Sequence, residues 1–340
     1  MSDRQYAAAG VDLDTAEAAK RRIGELVRGT RTAYSVGAIG AFAGMVRLPE
    51  GYRRPLLVMS TDGVGTKVLV AREAGRLDSV GEDLVNHSVN DILVHGARPL
   101  AFQDYVAGAG LDVGEIAAIV EGVARGCRAH GMALTGGETA QMPGLYREGE
   151  FDLAGTILGV VEEEQALHGE AVAPGDVLIA YASTGLHTNG YTLARRVLFE
   201  RLGLALDAVP SELGTTVVDA LLAVHRSYLA AVGPVLDRVH ALAHITGGGI
   251  PGNLVRVLPE GCEAVLNRGS WEWPPVFTLI RGGGGVSEDE MRDVFNLGIG
   301  LIAIVPPAAV EAVHAAASGA GDRTWVLGEI RRGARSVRFA

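Results

Sequence analysis

The sequence predicts a two-domain mixed α/β protein. Short apolar runs alternate with helix-period patterns along the whole chain, and 340 residues are long for one core. Glycine, at 47 residues, is roughly twice its usual share of about 7%, which calls for many tight turns and backbone-lined sites.

In the first half, strands are expected at Leu56–Ser60, Leu100–Val106, Ala133–Thr135 and Phe151–Val161. The helix expected from Asp83 to His95 turns Leu84, Val85, Ile92 and Leu93 toward a core, and Val113 to His130 repeats apolar residues at helical spacing. The charged run Glu162–Glu164 and the turn Ala173–Asp176 bracket a boundary near residue 168. This divides the chain into 1–168 and 169–340. Strands then follow at Val177–Tyr181, His240–Ile245, Glu263–Leu266, Gly298–Val305 and Trp325–Ile330. Helices are expected at Tyr191–Leu202, Ala220–Leu236, Ile250–Val257 and Ala308–Ala317. Gly282–Gly285 lacks a strand-to-helix setting and reads as a flexible loop.

A formal charge of −10 with no basic stripe excludes a nucleic-acid surface. Cys127 and Cys262 form no C-x-x-C pair and read as small buried hydrophobes of a reducing compartment. No signal pattern opens the chain, and no apolar run reaches the ~18 residues of a membrane span, so a soluble, cytoplasmic protein is expected.

Thr61-Asp62-Gly63-Val64-Gly65-Thr66-Lys67, directly after the apolar run Leu56–Met59, is the most informative segment. Glycines let backbone N–H groups approach an anion, a carboxylate can hold Mg²⁺, and a lysine adds positive charge. It is not a Walker A loop, because Thr66 separates Gly65 from Lys67; the plain alternative is a tight turn with a solvated lysine. Asp83, His87, Asn90 and Asp91 form a polar helix stripe able to offer hard oxygens to Mg²⁺, or simply a solvated face. Thr135-Gly136-Gly137-Glu138-Thr139-Ala140 repeats the design of a strand end running into glycines and a carboxylate, so Asp62 and Glu138 could converge on one metal. Ser183–Gly190 offers hydroxyls, His187 and Asn189 before a helix, for acid/base work or as a helix cap. Thr246-Gly247-Gly248-Gly249 could cradle a phosphate or serve a crowded turn. Two decoys fall away: Gly298–Ala303 matches a dinucleotide fingerprint but opens a strand, and His240 with His244 lacks zinc partners.

In order, these segments resemble the phosphoribosylformylglycinamidine cyclo-ligase (aminoimidazole ribonucleotide synthetase) family of purine biosynthesis, from Tyr6 to about Val337. The likeness adds Ala9-Gly10-Val11-Asp12, Val89-Asn90-Asp91, Met142-Pro143-Gly144, His187-Thr188-Asn189-Gly190-Tyr191, Trp271-Glu272-Trp273-Pro274 and Phe295-Asn296-Leu297-Gly298. Gln141 stands where the family has Glu, which removes any metal role there; Thr188 replaces Ser and keeps the hydroxyl. His87 and Ser88 replace smaller or sulfur-bearing residues.

The resemblance implies an aminoimidazole ribonucleotide synthetase-like fold: an N-terminal mixed sheet that pairs with a second subunit into a barrel-like homodimer core, and a C-terminal α/β domain. It implies ATP held near the junction with Mg²⁺, and formylglycinamidine ribonucleotide as substrate. On this reading Asp62, Asp91 and Glu138 hold Mg²⁺, and Lys67 contacts phosphate. Gly63, Gly65, Thr66, Asn90, Gly136 and Gly137 shape the nucleotide site, and Gly247, Gly248 and Gly249 take the ribonucleotide 5′-phosphate. His187 moves a proton with Asn189 orienting it, and Gly37–Gly44 closes as a flap over ATP. Thiamine monophosphate kinase and selenophosphate synthetase are rivals of the same architecture, but no cysteine precedes Cys127 as the latter requires. A hydrogenase-maturation enzyme would need a C-terminal cysteine where this chain reads Arg338-Phe339-Ala340, and a noncatalytic nucleotide-binding dimer would not need the intact acidic and glycine motifs.

Overall fold

The computed structural model describes residues 13–340; the Ala9–Asp12 motif and Tyr6 lie outside them. Its contacts separate two compact units, one comprising the chain through Ile92 with Arg98–Glu162, the other Leu93–Ala97 with Glu163–Ala340. Among the described residues, no helix is long and apolar enough to cross a membrane.

The first unit runs α1 (Leu13–Arg28), β1 (Ser35–Val36), β2 (Met45–Val46), β3 (Pro55–Gly63), α2 (Lys67–Glu73), α3 (Leu77–Leu93), β4 (Arg98–Gly108), α4 (Val113–Ala129), β5 (Ala133–Gln141) and β6 (Phe151–Glu162). Among the described residues its main sheet has the order β3-β6-β4-β5, antiparallel except for the β4/β5 pair. One face is apolar and buried, with Phe102, Val106, Leu153 and Ile157 inside. The other face is open, leaving Leu57 61% and Met59 66% exposed on edge strand β3.

Two strands outrun their expected ends. β3 continues through Asp62 to Gly63 because β6 supplies ladder partners as far as Asp62↔Gly155 and Gly63↔Ala154. β5 continues to Gln141 because β4 pairs with it through Gly137 and Glu138. The residues read as loop ends are therefore strand residues. Helix α3 also starts earlier than Asp83, at Leu77, since Leu77 and Val80 extend its buried face. Gly81 sits within it for a packing reason: a Cβ there would lie 2.1 Å from the Ile119 carbonyl oxygen, and one on Gly122 of α4 would lie 1.9 Å from that of Asp78. The two helices touch backbone to backbone.

The second unit holds, among the described residues, a six-stranded sheet in the order β12-β9-β11-β7-β10-β8, made of β7 (Val177–Ala182), β8 (Ala241–His244), β9 (Cys262–Leu266), β10 (Ile299–Val305), β11 (Thr324–Arg332) and β12 (Ser336–Phe339). Both faces are covered. Leu178, Ala180, Ile302 and Ile304 enter one apolar cluster, while Ile179, Tyr181, Leu301 and Ala303 enter the other. This double burial explains the unbroken apolar run in β10. Both cysteines are free and buried.

Three expectations change here. Gly282–Gly284 belong to helix Pro275–Gly284, with Gly285 as its left-handed cap, and Leu202 packs where a Gly283 side chain would stand while Val197 and Val286 do so at Gly284. The expected helix Ala220–Leu236 breaks into Val217–Leu222, Leu229–Val232 and a 3₁₀ segment Gly233–Arg238, where Gly233-Pro234 cannot continue α-helical bonding. Tyr191–Leu202 turns to π-helix after Arg195. Helices Lys67–Glu73 and Glu288–Val294 and strand Ser336–Phe339 were not expected from the pattern.

Lys67 opens α2 fully buried, its Nζ 2.7 Å from Oδ2 of the equally buried Asp83 on α3. Burial drives the amine below its usual pKa, against the pull of Asp83. Removing one partner strands the other in the core, so Lys67→Met should cost about 3–5 kcal/mol. The double change Lys67→Met with Asp83→Leu should recover most of it, as read by urea unfolding of the three proteins.

Candidate functional site

In the first unit, β3 and α3 bring three side chains to Ser60. Ser60 Oγ lies 3.3 Å from Asp62 Oδ2 and 3.1 Å from Asp91 Oδ2. The spacing of four on α3 puts His87 one turn before Asp91, and its Nε2 stands 3.5 Å from Asp62 Oδ1 and 3.6 Å from Asp91 Oδ2. Burial opposes a charge on His87, yet the hydrogen bond to Asp62 and the fields of Asp91, Asp62 and Asp83 raise its pKa above the ordinary value. Two carboxylates and a hydroxyl are a hard-oxygen set that fits Mg²⁺. Asn90 is buried beside them in sequence.

Lys67 does not join this group. Its amine is engaged with Asp83 inside the protein, which corrects the expectation of a direct phosphate contact. Glu138 does not join it either. Asp62, Gly155, Asp104 and Gly137 stand in one row across the sheet, whereas Glu138 stands in the next row with Tyr105, Ala154 and Gly63. Side chains in adjacent rows point to opposite faces, so within one chain Asp62 and Glu138 do not converge on one ion. Gly63 and Gly65 are exposed and Thr66 half-buried before α2, with Gly65 at φ 66°.

The row exposes a residue that motif reading missed. Asp104 is 9% exposed on the helix-facing side of β4, where burial pushes its pKa up to about 7. A Cβ on Gly137 would come within 2.3 Å of its Oδ1, which requires glycine there. Beside it opens a cavity of about 770 Å³ lined by Gly136, Gly137, Glu138 and Thr139, with apolar walls from α1 and α4 and the segment Ile39–Ala41. The signal was the alternation of β4, which places Asp104 on the same face as Phe102 and Val106.

In the second unit, His187 lies in the loop after β7, with φ 62°, and is 1% exposed. Its Nε2 accepts the Thr184 N–H at 3.2 Å, which puts the proton of the neutral ring on Nδ1. The ring stacks on His225 at 3.9 Å between centroids, and His225 Nε2 meets His244 Nε2 at 3.1 Å. Thr188 Oγ1 lies 3.3 Å from His225 Nδ1, and Asn189 Nδ2 lies 3.4 Å from Thr188 Oγ1. A Cβ on Gly247 would lie 3.2 Å from Asn189 Oδ1, so the Asn189 loop and the glycine loop are neighbours. Gly248 and Gly249 take φ 93° and 59°, and buried Asn253 donates from Nδ2 to the carbonyls of Thr246, Gly247 and Gly249 at 3.3, 3.2 and 2.8 Å. His240 pairs with Asp176 at 2.8 Å.

Comparison with known proteins follows the same division. Residues 40–161 match the family described as AIR synthase related protein, N-terminal domain, and residues 173–339 match its C-terminal domain. A protein of Sorangium cellulosum named phosphoribosylformylglycinamidine cyclo-ligase is 49% identical over 329 residues, covering 96% of this chain and 94% of its own. Its namesake in Symbiobacterium thermophilum is 49% identical over 332 residues, covering 96% and 94%. Among solved structures, thiamine-monophosphate kinase from Stenotrophomonas maltophilia superposes with a TM-score of 0.71 at 19% identity, covering 94% and 95% of the two chains. The hydrogenase maturation protein HypE of E. coli gives 0.65 at 18%, covering 94% and 93%. At such identities these two show a shared fold.

The raised pKa of Asp104 has a stability consequence. Between about pH 4 and pH 7 the unfolded chain has released this proton while the folded chain retains it, so unfolding becomes easier as pH rises and the loss levels off above the folded value of about 7. The wild type should lose a few kcal/mol across that window, about 4 at most. Asp104→Asn should remove that portion of the slope and be the more stable protein at pH 8, checked by paired urea titrations at pH 5 and 8.

Proposed function

The chain belongs to the phosphoribosylformylglycinamidine cyclo-ligase family, and from that premise we propose that it closes the imidazole ring of aminoimidazole ribonucleotide from formylglycinamidine ribonucleotide, converting ATP to ADP and phosphate. The observation that carries this reading is the 49% identity to the Sorangium relative over nearly the full length of both chains.

Ring closure requires a nitrogen to attack the formamide carbon and its oxygen to leave. Hydroxide is a poor leaving group, since water has a pKa of about 15.7, while the second ionisation of a phosphate monoester lies near 6. Phosphorylating that oxygen first solves the problem, and makes ATP a reagent. The transfer asks the protein for alignment and charge neutralisation.

Asp62 and Asp91, bridged by Ser60, are the residues we assign to Mg²⁺, which would neutralise charge on the triphosphate. Glu138, Gly136 and Gly137 belong with the cavity they line, where ATP would bind. Thr66, Gly63, Gly65 and Asn90 support that unit's nucleotide contacts, and Lys67 acts by holding α2 to α3. In the second unit His187 is assigned to proton transfer through Nδ1, with Thr184 fixing the tautomer. Asn189 lines the approach beside Gly247, and the exposed backbone of Gly247 and Gly248 is assigned to the 5′-phosphate, while the buried N–H of Gly249 donates to the Thr246 carbonyl and braces the loop. A cytoplasmic homodimer is part of this reading, and what supports the dimer is the open face of the first unit's sheet, where Leu57, Met59 and Tyr105 stand exposed.

Phosphate release from ATP should depend strictly on formylglycinamidine ribonucleotide; binding without turnover would make this a nucleotide-binding module instead. Asp62→Asn should lower that rate by about 10²-fold or more with the fold intact by circular dichroism, and unchanged turnover at saturating Mg²⁺ would remove the metal assignment. Light scattering at micromolar concentration should give twice the monomer mass. Placing a lysine at Met59 should shift that mass toward the monomer, since it would bury a charge in the interface.

A further inference from the structure

The chemistry proposed above leaves His87 unused. It lies four residues before Asp91 on α3, so both side chains ride on one face of the same helix. Its Nε2 stands 3.5 Å from Asp62 Oδ1 and 3.6 Å from Asp91 Oδ2. The imidazole is buried while the two carboxylates are half-buried, so an ion arriving from solvent meets the oxygens first and the nitrogen behind them.

The donor set at Ser60 is therefore mixed. Ser60 Oγ lies 3.3 Å from Asp62 Oδ2 and 3.1 Å from Asp91 Oδ2, and the imidazole nitrogen approaches an oxygen of each carboxylate nearly as closely. Adjacent ligands of a six-coordinate ion held at about 2.1 Å lie about 3 Å apart, so these gaps close on an ion with shifts of a few tenths of an ångström. Mg²⁺ takes hard oxygen donors and gains little from a nitrogen, whereas imidazole suits the borderline ions of the first transition row. Ser60, Asp62 and Asp91 alone would favour Mg²⁺. His87 changes that balance.

We propose that His87 is a further protein ligand of the divalent ion held by Asp62 and Asp91, and that its nitrogen turns this site from Mg²⁺ toward a divalent transition ion such as Mn²⁺ or Co²⁺. The inference rests on the assignment of Asp62 and Asp91 to the metal, and it names the class of metal this chain prefers. Because β3 brings one carboxylate and α3 brings the other together with the imidazole, the three donors are fixed by two regular elements and not by a loop.

The test uses the full-length protein with Mn²⁺, Co²⁺ and Mg²⁺ as probes, in the presence of inorganic tripolyphosphate, which supplies phosphate oxygens and no nitrogen. Calorimetric titration should show the wild type binding Mn²⁺ and Co²⁺ more tightly than Mg²⁺, and His87→Gln, which offers an oxygen in place of the nitrogen, should lose about tenfold or more of that preference. His87→Ala should lose it as well. Pulsed electron spin resonance of bound Mn²⁺ should show coupling to a directly bound nitrogen nucleus in the wild type and none in either variant. The wild-type spectrum needs no variant, so it decides the matter even where a variant does not fold. Absence of that coupling, or a preference unchanged in His87→Gln, would overturn the assignment. So would a rise in affinity for all three ions on loss of His87, the result expected of a histidine that only neutralises two acids. Phosphate release dependent on formylglycinamidine ribonucleotide is measured separately with Mg²⁺ in excess: its persistence beside any of these results leaves the ligase reading intact, and its absence beside nitrogen coupling overturns the ligase reading alone. A wild type that binds no Mn²⁺ would overturn the metal roles of Asp62 and Asp91 together with that of His87.

Discussion

The buried pair of Lys67 and Asp83 is the constraint on which the first unit depends. β3 ends at Gly63, and four residues later the chain enters α2 with a fully buried cation. Asp83 receives it one turn before His87 and two turns before Asp91 on the same helix. The pair therefore sets both the position and the rotation of α3 relative to the end of β3. Asp62 and Asp91 arrive at Ser60 because of that setting. A hydrophobic pair could bind the same helices together, but it would tolerate a small slide or turn that a 2.7 Å ionic contact does not.

Each unit uses glycine differently. In the first, glycine removes side chains so that elements can approach: α3 meets α4 at Gly81 and Gly122, and β5 meets Asp104 at Gly137. In the second, Gly248 and Gly249 supply backbone angles that other residues resist, and Asn253 then gathers the loop's carbonyls on one side. The same abundant residue gives close packing in one place and a tightly folded loop with exposed backbone at Gly247 and Gly248 in the other.

Much of this was legible in the sequence. The α/β alternation, the strand that leads into Thr61–Lys67 and the helical spacing of His87 and Asp91 follow from local periodicity, which survives in the folded chain. What depends on partners was not legible. Pairing to β6 and β4 carried Asp62, Gly137 and Glu138 into strands, and the resulting row placed Glu138 on the face opposite Asp62. Gly282–Gly284 looked like a loop because glycine is a poor helix former, but Leu202 packs into the space at Gly283, and Val197 and Val286 into that at Gly284. Lys67 looked like a phosphate ligand because motifs say nothing about which way a side chain turns at a helix start. Asp104 was within reach of pattern alone, since it occupies an inward position in an alternating strand.

The glycine contact between α3 and α4 limits how this unit can respond to a ligand. Each helix fills the other's missing side chain with main-chain atoms, so neither can slide without collision, and the two travel as a single girder. Ile116, on α4, belongs to that stiff side of the cavity. Accommodation must come from the facing segment at Ile39–Ala41, where a Cβ on Gly40 would meet nothing within 4 Å. Tightness of grip and freedom of entry are thus assigned to opposite walls, and a change in one need not disturb the other.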